Sequence, residues 1–80
     1  MQREATREKL RELMKEVLHL DRIDGDCQMG EVETWDSLNH LSLIARIENE
    51  FEISIQFEDF IEMISLEKIV DVISRYLEQN

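Results

Sequence analysis

Apolar residues recur at helical spacing in three stretches of the chain, separated by two stretches that lack any sustained period. Leu10, Leu13, Met14, Val17 and Leu18 return every three or four residues, which predicts an amphipathic helix over 3–20. Opposite them run Arg3-Arg7-Arg11-Lys15 and Glu4-Glu8-Glu12-Glu16. Glu4–Arg7, Glu8–Arg11 and Glu12–Lys15 are expected to pair along a solvated outer face, each for roughly 0.2–0.5 kcal/mol. His19 is expected to end the helix, where partial positive charge suits the dipole. In the second stretch, 37–51, a step of about 100° per residue places Leu43, Ile44, Ile47 and Phe51 on one arc, the predicted core face. Leu38, Leu41 and Ala45 fall on an adjacent arc, turned toward Ser37 and Glu48. The apolar surface is wider than one buried stripe requires, so the helix is either embedded on two sides or offered in part to another protein. Asn39, Ser42, Arg46, Asn49 and Glu50 fill its polar side. The third stretch, 66–78, carries Leu66, Ile69, Val70, Ile73, Tyr76 and Leu77, with Ser65 as its N-cap and Glu78-Gln79-Asn80 fraying.

Residues 21–36 hold both glycines and six acids without a period, a loop that Ile23, Met29, Val32 and Trp35 are expected to pin to the core. Residues 52–56 resemble a strand, but no partner strand exists elsewhere, so an extended connection is predicted. A short helix near 57–63 follows, with Phe57, Phe60 and Ile61 inward and Glu58, Asp59 and Glu62 outward. The sum is an all-α, small four-helix bundle: three longer helices, a short third one, and a long loop after the first. Residues 1–80 are read as a single domain.

Composition supports this class. The chain has no proline, only Gly25 and Gly30, and 42% apolar residues, which suits a bundle rather than a turn-rich sandwich or barrel. No apolar run is long enough to span a membrane and no signal peptide is visible. Cys27 stands alone, which excludes a disulfide framework or thiolate cluster; it is read as a bystander thiol in a cytoplasmic protein. The net charge of −10 is uneven. Residues 1–22 carry six bases against five acids, and residues 23–80 carry three against fourteen, so the whole excess lies downstream of the first helix. Such a surface disfavours nucleic acid and anionic membranes and favours proteins with basic patches.

Candidate chemistry gathers at Asp36-Ser37-Leu38, where the acidic loop ends and the second helix begins. Asp36 is placed to cap the helix and Ser37 to be an exposed hydroxyl in its first turn. A triad of Asp36, Ser37 and His40 is disfavoured. The acid is committed to the helix start, no oxyanion loop is evident, and His40 lies by angle at the rim of the core. Asp24-Gly25-Asp26 lacks the alternation and closing Glu of an EF-hand, and two lone histidines make no metal site. No metal and no catalytic residue are assigned.

The Asp-Ser-Leu triplet at a helix start, inside this order of elements, resembles the acyl carrier protein family across essentially the whole chain. Ile47-Glu48-Asn49-Glu50-Phe51 is similar to the acidic-then-Phe ending of the second helix in family members. The resemblance implies that Ser37 bears 4′-phosphopantetheine, transferred from coenzyme A by a Mg²⁺-dependent transferase, and that its thiol carries an acyl group as a thioester. It implies a non-catalytic carrier that contacts partner enzymes through Asp36, Leu38, Leu41, Ala45, Glu48 and Ile55. Thr34-Trp35 replace the Gly and small residue, or Gly-Gly pair, found in other members. Asn39 and Ser42 stand where fatty-acid carriers have acids, and Arg46 adds a charge. These departures point to a stand-alone, monomeric carrier of polyketide-like, modified-sugar or surface-polysaccharide assembly. The alternatives are a carrier for fatty-acid synthesis or aminoacyl transfer, and an acidic helical adaptor without a prosthetic group.

Overall fold

A computed structural model of the protein describes residues 2–23 and 25–78. It contains four helices: α1 (Gln2–Leu18), α2 (Ser37–Phe51), α3 (Phe57–Phe60) and α4 (Leu66–Glu78). A 3₁₀ turn at Met29–Glu31 interrupts the first loop. Among the described residues there is no strand, only an isolated antiparallel bridge between Gln28 and Ser65. The expected all-α four-helix architecture is therefore the one the chain adopts, and no described helix is long and apolar enough to cross a membrane.

The core is built from the arcs that helical periodicity picks out. Leu10, Met14 and Leu18 of α1, Leu43 and Ile47 of α2, and Leu66, Ile69, Val70 and Ile73 of α4 are fully buried. Met63 joins them from the turn before α4. α1 packs against both α2 and α4, so the three longer helices form the frame. In the 52–56 connection, Ile53 is buried, Ser54 exposed and Ile55 half-buried, the alternation of an extended segment laid over a core.

α1 and α3 differ from the bounds that periodicity predicts, for identifiable reasons, whereas α2 spans the predicted 37–51. α1 stops at Leu18 because His19 takes a left-handed conformation (φ 56°) and the Leu20 N–H donates to the Lys15 carbonyl at 3.0 Å. α2 ends the same way: Glu52 is left-handed (φ 56°) and the Ile53 N–H donates to the Glu48 carbonyl at 3.1 Å. This is the Schellman closure, made here without glycine. α3 is one turn long rather than seven residues, and its inward assignment is corrected with it. Phe57 is 71% and Ile61 56% exposed; Phe60 alone of the three packs on the core. A single turn cannot carry a buried stripe, so its apolar residues splay around it.

The outer face of α1 also does more than face solvent. The three expected pairs form, Glu4–Arg7, Glu8–Arg11 and Glu12–Lys15. In addition, Arg7 forks onto both oxygens of Glu67 in α4 at 2.9 Å, and Arg3 pairs with Asp71. Lys9 reaches Glu50 and Arg46 reaches Glu16, tying α1 to α2. The Arg7 hydrogen bonds hold the Glu67 carboxyl below the usual range.

The first loop is fastened at its middle to the start of α4. Met29 N–H donates to the Ile64 carbonyl at 2.9 Å, and Leu66 N–H to the Cys27 carbonyl at 2.8 Å. Asp26 Oδ1 accepts the Glu67 N–H at 3.0 Å, adding a second cap beside Ser65, whose Oγ accepts from Lys68 N–H. Asp24 lies outside the described residues, as do Gln79 and Asn80. Ile23, Met29 and Val32 pack against the core and Trp35 is buried, as expected of pinning residues. Burial, with Glu31 and Asp26, pushes the Cys27 thiol up, which disfavours the thiolate.

Candidate functional site

The loop reaches α2 through a tightly determined turn. Trp35 N–H donates to the Val32 carbonyl at 3.0 Å, and Trp35 is 2% exposed. Asp36 is extended (φ −100°, ψ −176°), the conformation of an N-cap, and its Oδ1 accepts the Asn39 N–H at 2.9 Å. The Asn39 side-chain amide turns back to donate to the Thr34 carbonyl at 2.7 Å, closing the first turn from the other side. Ser37 is thus the first residue of a capped, fifteen-residue helix, and it is exposed. Its position follows from local rules: a carboxylate cap, then a helix whose buried stripe begins only at His40.

His40 lies under this turn, and more deeply than a rim position. It is 4% exposed, with Trp35 Nε1–H donating to its Nδ1 at 3.0 Å and its Nε2 facing the Phe60 carbonyl at 3.4 Å. The indole can only donate, so Nδ1 is bare and Nε2 carries the proton. Burial lowers the imidazole's proton affinity, opposed by the Phe60 carbonyl. The three rings lie in a row, tilted against one another, with Trp35–His40 centroids 6.0 Å apart at 38° and His40–Phe60 4.9 Å apart at 55°. Nδ1 is thus engaged by the indole and Nε2 turned to the Phe60 carbonyl, so neither hydrogen bond of the imidazole goes to Ser37.

Two adjoining apolar grooves flank the junction of Leu41 and Phe60. The first, about 390 Å³, starts at Ser37 and is lined by Met29 of the loop, His40 and Leu41 of α2, and Phe60, Ile61 and Ile64. The second, about 420 Å³, is lined by Leu41, Ile44, Ala45 and Glu48 of α2 and by Ile55, Phe57 and Phe60. Leu38 is 73% and Leu41 56% exposed. The wide apolar surface of α2 therefore resolves into a buried stripe and an open one.

Of the six residues expected to meet partners, Leu41, Ala45, Glu48 and Ile55 come together at the second groove. Asp36 and Leu38 are exposed at the helix start. Glu48 Oε2 accepts the Ile55 N–H at 2.8 Å, so one carboxylate oxygen is spent on holding the connection against α2. Periodicity missed the other wall: Met29, Phe57, Ile61 and Ile64 belong to segments too short or irregular to show a face. It also missed that α3 is moored to α4. Tyr76 Oη–H donates to Asp59 Oδ2 at 2.6 Å and accepts the Gln56 N–H at 2.9 Å, while Arg75 pairs with Asp59 at 3.1 Å. The Tyr76 bond, with Arg75, holds the Asp59 carboxyl below its ordinary range.

Comparison with known proteins agrees with this geometry. No individual curated protein matched the chain. The family model described as "Phosphopantetheine attachment site" matches residues 8–73, from within α1 to within α4. Members attach 4′-phosphopantetheine covalently to a serine and are in general non-catalytic substrates of phosphopantetheinyl transferases. The exposed serine at a capped helix start lies within the matched span, which takes in α2 and α3 whole and most of α1 and α4, and the chain belongs to this family of phosphopantetheine-bearing acyl carrier proteins.

Proposed function

We propose that Ser37 is the attachment residue, and that the protein carries an acyl intermediate as a thioester on the arm and delivers it to partner enzymes. The observation that carries the reading is the exposure of Ser37 at the first position of α2, beside an apolar groove of about 390 Å³. A phosphate esterified to its Oγ meets the free N–H groups and positive dipole end of a fifteen-residue helix. The group itself supplies the thiol and the reach; this chain supplies a rigid anchor and a surface to be recognised. Asp36, Leu38, Leu41, Ala45, Glu48 and Ile55 form the partner surface, read by a transferase, an acyl-loading ligase or transferase, and synthase-type enzymes with basic docking patches. Residues 1–80 act as one monomeric carrier domain in the cytoplasm.

The cargo belongs to polyketide-like, modified-sugar or polysaccharide-related biosynthesis. Support comes from Asn39, whose amide donates to the Thr34 carbonyl, a bond that an ionised carboxylate at this position has no proton to make. Arg46 adds a cation to the exposed side of α2, opposite Glu16 of α1. The docking surface therefore differs in charge from one built around acids close behind the serine.

Incubation with coenzyme A, Mg²⁺ and a broad-specificity transferase is expected to raise the intact mass by one phosphopantetheine, and Ser37→Ala to abolish the gain. Modification that survives Ser37→Ala overturns the site. Failure of the wild type to load, where a control carrier loads, favours an acidic adaptor without a prosthetic group.

A further inference from the structure

Trp35 and His40 occupy the positions just before the N-cap and four residues into the helix, where a pair of apolar side chains commonly fixes the angle at which a chain enters a helix. Here the pair is polar, buried and hydrogen-bonded, at 3.0 Å, and it brackets Asp36 and Ser37. The same imidazole reaches α3 through the Phe60 carbonyl. One ring therefore joins the end of the loop, the start of α2 and α3 directly beneath Ser37.

We propose that Trp35 and His40 are positioning residues for the modification of Ser37, acting as a tie that holds only while the imidazole is neutral. This rests on Ser37 being the attachment residue. A second proton must sit on Nδ1, where it confronts the Trp35 N–H, a donor with no acceptor capacity. The tie then opens at the indole, and the turn presenting Ser37 loses its buried anchor.

The surrounding charges do not take over this role. At the N-cap of α2, the Asp36 carboxylate is engaged with the Asn39 N–H. On the loop, Glu31 and Glu33 are exposed. On and after α3, Glu58 and Glu62 are exposed, and Asp59 is turned to Tyr76 and Arg75 of α4. From α1, Lys15 goes to Glu12 and Glu16 to Arg46. None of them shifts the imidazole; burial does, downward, with the Phe60 carbonyl opposing it. A cation forming here finds no carboxylate partner in place.

Imidazole resonances and loading rates test the two halves separately. In the apo protein, His40 is expected to carry its proton on Nε2 and to titrate below the ordinary histidine value of about 6.5. In Trp35→Phe, which keeps a ring but loses the donor, the midpoint is expected to move up. Loading by a broad-specificity transferase is then followed from about pH 7.5 to 5.5, each rate divided by that of His40→Gln at the same pH, which cancels the enzyme's own pH dependence. The ratio is expected to fall at least about twofold, and to fall less for Trp35→Phe, which stands as the comparison if His40→Gln does not fold. An ordinary midpoint that Trp35→Phe leaves unmoved overturns the tie. A ratio independent of pH, with the titration as expected, overturns the positioning role. No mass gain at any pH sinks the carrier reading and the positioning role together, and leaves the imidazole titration to decide the tie.

Discussion

Leu41 and Leu43 lie two residues apart on α2, yet one is 56% exposed and the other fully buried. Replacing each with alanine separates what the helix does for the fold from what it does for partners. Leu43→Ala opens a cavity in the middle of the three-helix core and is expected to lose about 3 kcal/mol or more, by analogy with buried leucine truncations. Leu41 hides less than half its side chain, so its truncation is expected to remove about 1 kcal/mol, from a full burial worth about 1.5–3 kcal/mol. In melting temperature the two losses correspond to roughly 12 °C or more and roughly 5 °C for a domain of this size. Loading kinetics should rank them the other way. If a partner covers the open half of Leu41, another 1–1.5 kcal/mol or so disappears from the encounter, a drop of roughly five- to tenfold in kcat/KM. The folded fraction of Leu43→Ala should load at close to the wild-type rate. Urea titration gives the stabilities and intact-mass time courses the rates. Equal destabilisation by the two variants, or normal loading of Leu41→Ala, would refute the division of α2 into a buried and an open stripe.

Glu52→Gly removes a side chain from a left-handed position and is expected to raise stability by about 0.5–1 kcal/mol, seen as a higher urea midpoint at unchanged slope; a lower midpoint would show that Glu52 earns its place through a contact. Acid should destabilise the protein in two stages. His40 has a depressed folded-state proton affinity, so its contribution is complete above about pH 6.5 and is lost as pH falls through its lower native value. Asp59 and Glu67 are also depressed, so theirs is complete above about pH 4–4.5 and is lost further down. His40→Gln should erase the first stage and leave the second; a single-stage decline in the wild type contradicts the assignment. Residues 48–62 carry six acids and no base, so melting temperature is expected to rise between about 0.05 and 0.3 M NaCl, and a flat series counts against their repulsion.

The longer helices were legible because each has several turns in which a 3.6-residue period repeats, and the arcs on α1, α2 and α4 are the ones that are buried. Ser37 was legible for a local reason, a carboxylate cap followed at once by a helix. What lay outside the sequence pattern depends on pairing across distance. Nothing in Asp26 announces that it caps a helix forty residues on, and nothing in Tyr76 announces Asp59. Hydrophobicity alone turns Phe57 and Ile61 inward, but one helical turn possesses no face to bury, and both are exposed. Helical angle alone puts His40 at the rim of the core. Its full burial comes from Trp35 and Phe60, contributed by two segments without periodicity. The spacing of Trp35 and His40 around an Asp cap was the one available signal for that bond, and it is a signal of helix entry rather than of amphipathicity.

The bridge between Gln28 and Ser65 has a topological consequence. Tied there, and by the Met29–Ile64 and Cys27–Leu66 hydrogen bonds, the intervening chain is a closed ring that contains α2, α3 and both grooves, while α1 and α4 lie outside the knot. α3 is the lightest link of that ring, one turn held by Tyr76 from one side and His40 from the other. It is held by side-chain bonds, apart from the backbone ties that close the ring and from the packing of α1 on α4. Amide exchange should therefore be faster within 57–62 than in α1 and α4, and equal protection across the three would show that α3 is held as firmly as the frame.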